Sequence, residues 1–198
     1  MNPAYGRALE RIRLRLGGDQ NADPEEVSAS GAQNGHWVTI GHRHVFIDES
    51  RERIASTARK YDGSAAWAFD KRKDNFGPQT NKCNKFVYDV TKEAGAPAVV
   101  VGSDGRPRPP LAAEWADPAV SIPDWRVLGP KEQPQPGDVA AYKLPGGGTA
   151  FSGHSGIVTA VGPDGVVHAM AAHASVVGPD NKFQHVKGVT FRRYVGGR

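Results

Sequence analysis

Gly153-His154-Ser155-Gly156-Ile157-Val158 puts a histidine at the very start of a β-strand, directly after a glycine. Small and apolar residues alternate behind it, as a buried strand requires. Around this stretch, Asp138–Lys143, Gly156–Val161, Val166–Ala169 and Val189–Tyr194 read as successive antiparallel strands. Turn signals such as Gly146-Gly147-Gly148 and Pro163-Asp164-Gly165 separate them. Upstream the periodicity is helical. Ser50 to Tyr61 is a predicted helix with Ile54, Ala55, Ala58 and Tyr61 along one side. A second runs from about Asn81 to Ala94, with Phe86, Val87 and Val90 inward and Gly95 at its end. Residues 62–80 between them form a Gly/Asp/Asn/Pro-rich loop carrying Trp67 and Phe69, and residues 96–137, dense in proline and glycine, are expected to be an irregular excursion. Helices first and strands after imply an α+β domain with helices packed on an antiparallel sheet, not a parallel α/β sheet.

The preceding residues have a different character. Residues 3–16 read as a short amphipathic helix, with Tyr5, Ala8, Leu9, Ile12 and Leu16 at helical spacing, stopped by Gly17-Gly18. Residues 17–35 read as a polar linker, and residues 35–47 as a small hairpin turning at Gly41. Its histidines, His36, His42 and His44, have no carboxylate or cysteine at ligand spacing, so exposed strand positions are expected and no metal or other cofactor. The predicted division is 1–48, an adaptor-like helix, linker and hairpin, and 49–198, a catalytic-type domain.

Composition narrows the partners. A formal charge of +4 and a pI of about 9.3 favour anionic partners. The basic residues are scattered apart from Arg7, Arg11, Arg13 and Arg15, so nucleic acid is not expected. No apolar run reaches the roughly 20 residues of a membrane span. The first 30 residues carry no secretory pattern, so a dedicated delivery route is expected for any substrate outside the cytoplasm. The single cysteine excludes an internal disulfide and a multi-cysteine zinc site.

That cysteine lies in Thr80-Asn81-Lys82-Cys83-Asn84-Lys85-Phe86. Thr80-Asn81 can cap a helix, which puts Cys83 in its first turn, where unpaired N–H groups and the helix dipole favour a thiolate. Lys82 and Lys85 add positive charge nearby, and the same N–H groups can hold an oxyanion. Alone, such a cysteine is more often a small structural residue. His154 supplies a base. Val167-His168-Ala169 ends the next strand, and pairing through the Pro163-Asp164-Gly165 turn brings His168 toward the far nitrogen of His154 as a third, orienting residue. His173 competes for that role. Asp138 reads as a structural turn residue, and Trp115 and Trp125 could wall a groove or pack the core.

In order and spacing, the helix-start Cys83, Pro136-Gly137-Asp138-Val139-Ala140, Gly153-His154-Ser155-Gly156-Ile157-Val158 and Val167-His168-Ala169 resemble the NlpC/P60 and CHAP group of papain-like amidases over about residues 50–198. Within it the chain is most similar to bacterial amidase effectors and phage-associated wall hydrolases; the stretch from Arg108 to Pro118 resembles an insertion of effector-type members. The resemblance implies hydrolysis of an amide bond in the peptide stem of peptidoglycan, without metal. Cys83 matches the nucleophile, His154 the general base and acid, and His168 the third polar residue, while Asn81, Trp67 and Trp115 are expected to contact substrate. It also implies action in the periplasm or on the cell wall, and an immunity protein as partner in an effector setting. The family's usual Asp-Cys-Ser-Gly is here Lys82-Cys83-Asn84-Lys85, and its upstream oxyanion tyrosine has Tyr61 as the one substitute candidate. A rival reading is a non-catalytic wall-binding or structural module of a phage or secreted assembly.

Overall fold

The alternating apolar residues of the strands build two cores, one on each face of a single sheet. The computed structural model describes residues 35–40, 43–146 and 152–196. A hairpin of β1 (Gly35–Ile40) and β2 (Arg43–Asp48) leads directly into helix α1 (Glu49–Lys60). Asp48 caps α1 by accepting from the Arg51 N–H at 3.1 Å, with Glu49 and Glu52 in the first turn and Arg59 and Lys60 in the last, as the helix dipole favours. Helix α2 (Cys83–Glu93) buries Phe86, Val87 and Val90 completely. Two short strands, β3 (Val100–Val101) and β4 (Pro107–Arg108), then a five-residue helix α3 (Ala112–Ala116), precede β5 (Trp125–Val127).

The remaining strands are β6 (Val139–Lys143), β7 (Gly153–Val161), β8 (Val167–Ala172), β9 (Val177–Asp180) and β10 (Thr190–Tyr194), with a 3-10 turn at Lys182–Gln184. Together with β5 they form one six-stranded antiparallel sheet in the order β5-β10-β6-β7-β8-β9. Val139, Ala141, Ile157, Met170 and Ala172 meet Ile54, Phe86 and Val90 of the helices. Ala140, Tyr142, Val158, Ala169 and Ala171 form the second core with Phe183. This is the α+β architecture expected, with helices on an antiparallel sheet as in papain-like folds.

The helices and four expected strands lie within a few residues of the predicted positions. Two strands of the six-stranded sheet were missed, and both are its edges. β9 contains Gly178-Pro179-Asp180, which reads as a turn; an edge strand tolerates proline because one side of it needs no N–H. β5 is three residues long inside the stretch expected to be irregular, which also contains β3, β4 and α3. The helix expected over 3–16, the linker up to residue 34, and Gly41, His42 and Gly147-Gly148 of the expected turns lie outside the described residues.

Two buried ionic groups brace the frame. Asp138, wholly buried, accepts from Arg193 at 2.8 and 3.0 Å and from the Gln135 N–H at 2.8 Å, consistent with the structural part expected of it. Arg192, 2% exposed, donates to the carbonyls of Trp115 (2.9 Å), Val120 (2.8 Å), Glu114 and Asp117, fastening α3 and the following loop to β10. Arg192→Leu strands these carbonyls in the interior and is expected to cost about 3 kcal/mol, to be read as a lower urea midpoint.

Candidate active site

Cys83 is the first residue of α2, so its backbone N–H has no partner within the helix. The residue ahead of it, Lys82, makes no side-chain cap, and the expected cap by Thr80-Asn81 does not form: Thr80 Oγ1 instead donates to the Gly77 carbonyl at 2.6 Å. Lys82, only 2% exposed, donates to the carbonyls of Ala68 (3.1 Å), Thr80 (3.0 Å) and Phe69 (3.3 Å) and so ties the loop over 62–80 to the helix start. Lys85 pairs with Asp74 at 2.6 Å and with Asp89. Both lysines therefore organise the loop, and the groups that act on the sulfur lie on β7.

β7 begins at Gly153, paired with Lys143, and its next residue, His154, stands opposite Tyr142. The imidazole stacks on Phe183, with ring centres 5.5 Å apart and 11° between planes, and Tyr142 leans on both rings. His154 Nε2 lies 2.9 Å from Asp180 Oδ2. That leaves Nδ1 for the thiol, and the imidazole is within hydrogen-bonding reach of Cys83. Asp180 closes β9 with its side chain 1% exposed; its other oxygen accepts from the Lys182 N–H at 2.8 Å. Between β7 and β9, β8 contributes Ala169 and Ala171 to the shared core, small enough for the imidazole–carboxylate bond to pass over the strand.

The electrostatics follow from this chain. Burial pushes the Cys83 thiol up, but the His154 imidazole, by hydrogen bond and charge, and the Ser155 N–H outweigh it, so the thiol sits below its ordinary value. The wholly buried Ser155 hydroxyl makes no hydrogen bond of ordinary geometry among the described residues, yet lies close enough to the sulfur to favour its ionised form. Burial pulls His154 down, but Asp180 and Cys83 together push it up to about 9. Burial raises Asp180, and hydrogen bonds from His154 and the Lys182 N–H bring it below its usual range. The arrangement shifts the balance toward a thiolate–imidazolium pair, a nucleophile coupled to a proton donor.

Cys83 lies between two depressions. One, of about 360 Å³, is lined by Phe69, Tyr142, Leu144, His173 and Lys182 among others; the second, of about 210 Å³, by Phe76, Leu111, Ala112 and Ser152. Asn81, Cys83 and Gly153 border both, which makes a groove passing over the sulfur. A Cβ at Gly153 would stand 2.2 Å from the Tyr142 carbonyl oxygen. Gly153→Ala must therefore push the start of β7 off β6 and displace His154; a loss of turnover on the order of 10²-fold is expected, measured beside an unchanged far-UV spectrum.

Of the expected site residues, the structure brings Cys83, His154 and Asn81 together and leaves out three. His168 is exposed and pairs with Ala160, at the opposite end of β7 from His154. The tight β7–β8 turn sets this register: Val161 faces Val167, so the residue level with His154 lies beyond the end of β8. Asp180 occupies the place expected for His168. Trp67 (3% exposed) and Trp115 (0%) are core residues, not groove walls: Trp67 donates to Asp89 at 2.8 Å and Trp115 packs edge-on against the likewise buried Trp125. Tyr61 hydrogen-bonds Glu93 and does not border the groove. His173 comes to 3.8 Å from Asp180 but does not bond His154. Asp180 had one signal in the sequence: only two carboxylates follow His154, Asp164 and Asp180, and the first lies in a turn.

The family model of the CHAP domain matches residues 72–173, just over half of the chain. Comparison with curated proteins gives no match, and neither does comparison with solved structures. The matched span runs from the loop ahead of Cys83 through His154 to the end of the β7–β8 hairpin, and the chain belongs to the CHAP domain family.

Proposed function

We propose that this protein is a cysteine amidase that cuts an amide bond in the peptide stem of peptidoglycan, with Cys83 as nucleophile, His154 as general base and acid, and Asp180 as the residue that orients and charges His154. The CHAP family carries the broad class, a peptidoglycan hydrolase of amidase or peptidase type. The observation that supports the finer reading is the chain from the Cys83 sulfur through the imidazole to the buried Asp180 carboxylate. The thiolate attacks the amide carbonyl. The oxyanion is held by the Cys83 N–H, and Asn81, which borders both sides of the groove, supplies the second donor. His154 protonates the leaving amine, a thioester remains, and water activated by His154 releases the acid.

No helix among the described residues is long and apolar enough to cross a membrane. We place the site of action at the cell wall, reached by a dedicated export or phage lysis route, as antibacterial effector or lysis enzyme. In the effector setting an immunity protein is the expected partner. Residues 49–198 form the catalytic unit in this reading and 1–48 an arm. The test is mass spectrometry of muropeptides after purified peptidoglycan is incubated with the full chain. New free amines and shortened stems are expected; a folded protein that binds wall but releases neither would leave the non-catalytic module as the better account.

A further inference from the structure

His173 takes no part in the reaction above, yet it faces the same carboxylate as His154. Its Nδ1 is 3.8 Å from Asp180 Oδ2, too long for a hydrogen bond and close to the spacing of two ligands on one ion, while His154 Nε2 is 2.9 Å from that oxygen. One ligand atom from each of His154, His173 and Asp180 lies within 4.8 Å of the other two. Three atoms so spaced are at most about 2.8 Å from a common centre, which small side-chain rotations can shorten to the roughly 2.0–2.2 Å that zinc keeps to imidazole nitrogen and carboxylate oxygen. Asp180 is almost wholly buried, whereas the two rings are partly exposed and line the larger depression, which gives an ion entry and leaves a fourth position open. Two imidazoles and one carboxylate suit a borderline transition ion, not calcium or magnesium, which take oxygen ligands.

We propose that His154, His173 and Asp180 form an inhibitory site for a divalent transition ion of the zinc class. The ion displaces the Nε2 proton of His154, which is lost to solvent, and the remaining ring proton is held on Nδ1, facing Cys83. A ring in that state is a weaker acid toward the leaving amine than imidazolium and has no free lone pair to activate the deacylating water, and Asp180 is drawn from the ring to the metal. Hydrolysis is silenced reversibly, without any covalent change. The site itself needs only the geometry; its inhibitory consequence rests on the function proposed above.

The two are separated by measuring Zn²⁺ binding in the full-length Cys83→Ala variant, which needs neither the thiol nor activity. Titration against a chromogenic chelator is expected to show one equivalent fewer in Cys83→Ala/His173→Ala than in Cys83→Ala. In the active protein, Zn²⁺ is expected to stop hydrolysis and excess EDTA to restore it. Measured against its own metal-free rate, His173→Ala is expected to need at least tenfold more Zn²⁺ for half inhibition. Equal Zn²⁺ binding with and without His173, or none in Cys83→Ala, overturns the site even if the protein proves a good amidase. If no hydrolysis is found at all, the binding titration still decides it.

Discussion

Cys83→Ala is expected to lower amide hydrolysis by about 10⁴-fold or more, with little change in thermal stability. In the proposed mechanism the thiol forms the acyl intermediate, and His154 and Asp180 contribute to rate only through it. Groups that act as a unit fail as a unit, so the loss should approach that of removing the whole set. The fold should tolerate the change because Cys83 is a small buried residue at a helix start, and alanine is a good helix former there. The measurement is amine release from purified wall, paired with a thermal melt. Residual activity within tenfold of the parent, with an intact melt, would remove Cys83 from the mechanism. Cys83→Ser should also be slow, because the hydroxyl is a far poorer nucleophile under the same base.

Asp180→Asn has the second largest expected effect: a fall in kcat of roughly 10²- to 10⁴-fold, together with a displaced pH profile. The sign follows from the charges. His154 is held at about 9 in part by the Asp180 bond, so the imidazolium persists through neutral pH and is lost as pH rises through that value. Hydrolysis by the parent should therefore decline above about pH 9, where the proton for the leaving amine is gone. Its acid limb should lie below the ordinary thiol value, because the same imidazolium stabilises the thiolate. An amide at residue 180 removes the negative charge that favours imidazolium, so the alkaline limb should move down toward the ordinary histidine value of 6.5. The acid limb should move up as the thiolate loses its partner, narrowing the active range from both sides. Profiles taken in the presence of a chelator would show this. An unchanged alkaline limb in Asp180→Asn would mean that the carboxylate does not set the charge of His154.

The legible and illegible parts of the site differ for a physical reason. Helix starts and strand starts are written in short windows, by caps, glycines and the spacing of apolar residues. Cys83 at the head of α2 and His154 at the head of β7 were readable in that way, and so was the order of helices and strands. Asp138 was legible as a structural turn residue from Pro136-Gly137-Asp138 alone, although its partner Arg193 lies 55 residues further on. Trp67 and Trp115 misled because an aromatic residue in a Gly/Pro-rich segment looks exposed until the segment is seen folding back over a core. Lys82 misled in the same sense: its charge looks free in the sequence but is directed at three carbonyls of the preceding loop.

The amino-acid sequence by itself determined the α+β layout and the proposed nucleophile and base, because each depends on residues within one helix turn or one strand. Only the tertiary structure decided the third member. His168 is closer to His154 in the chain, but the tight β7–β8 turn carries it to the far end of the hairpin. Asp180, on an edge strand disguised as a turn, is brought to the imidazole by sheet order and by the small alanines of β8 between them. Register across strands is set by how whole faces bury themselves, and no local window contains that information.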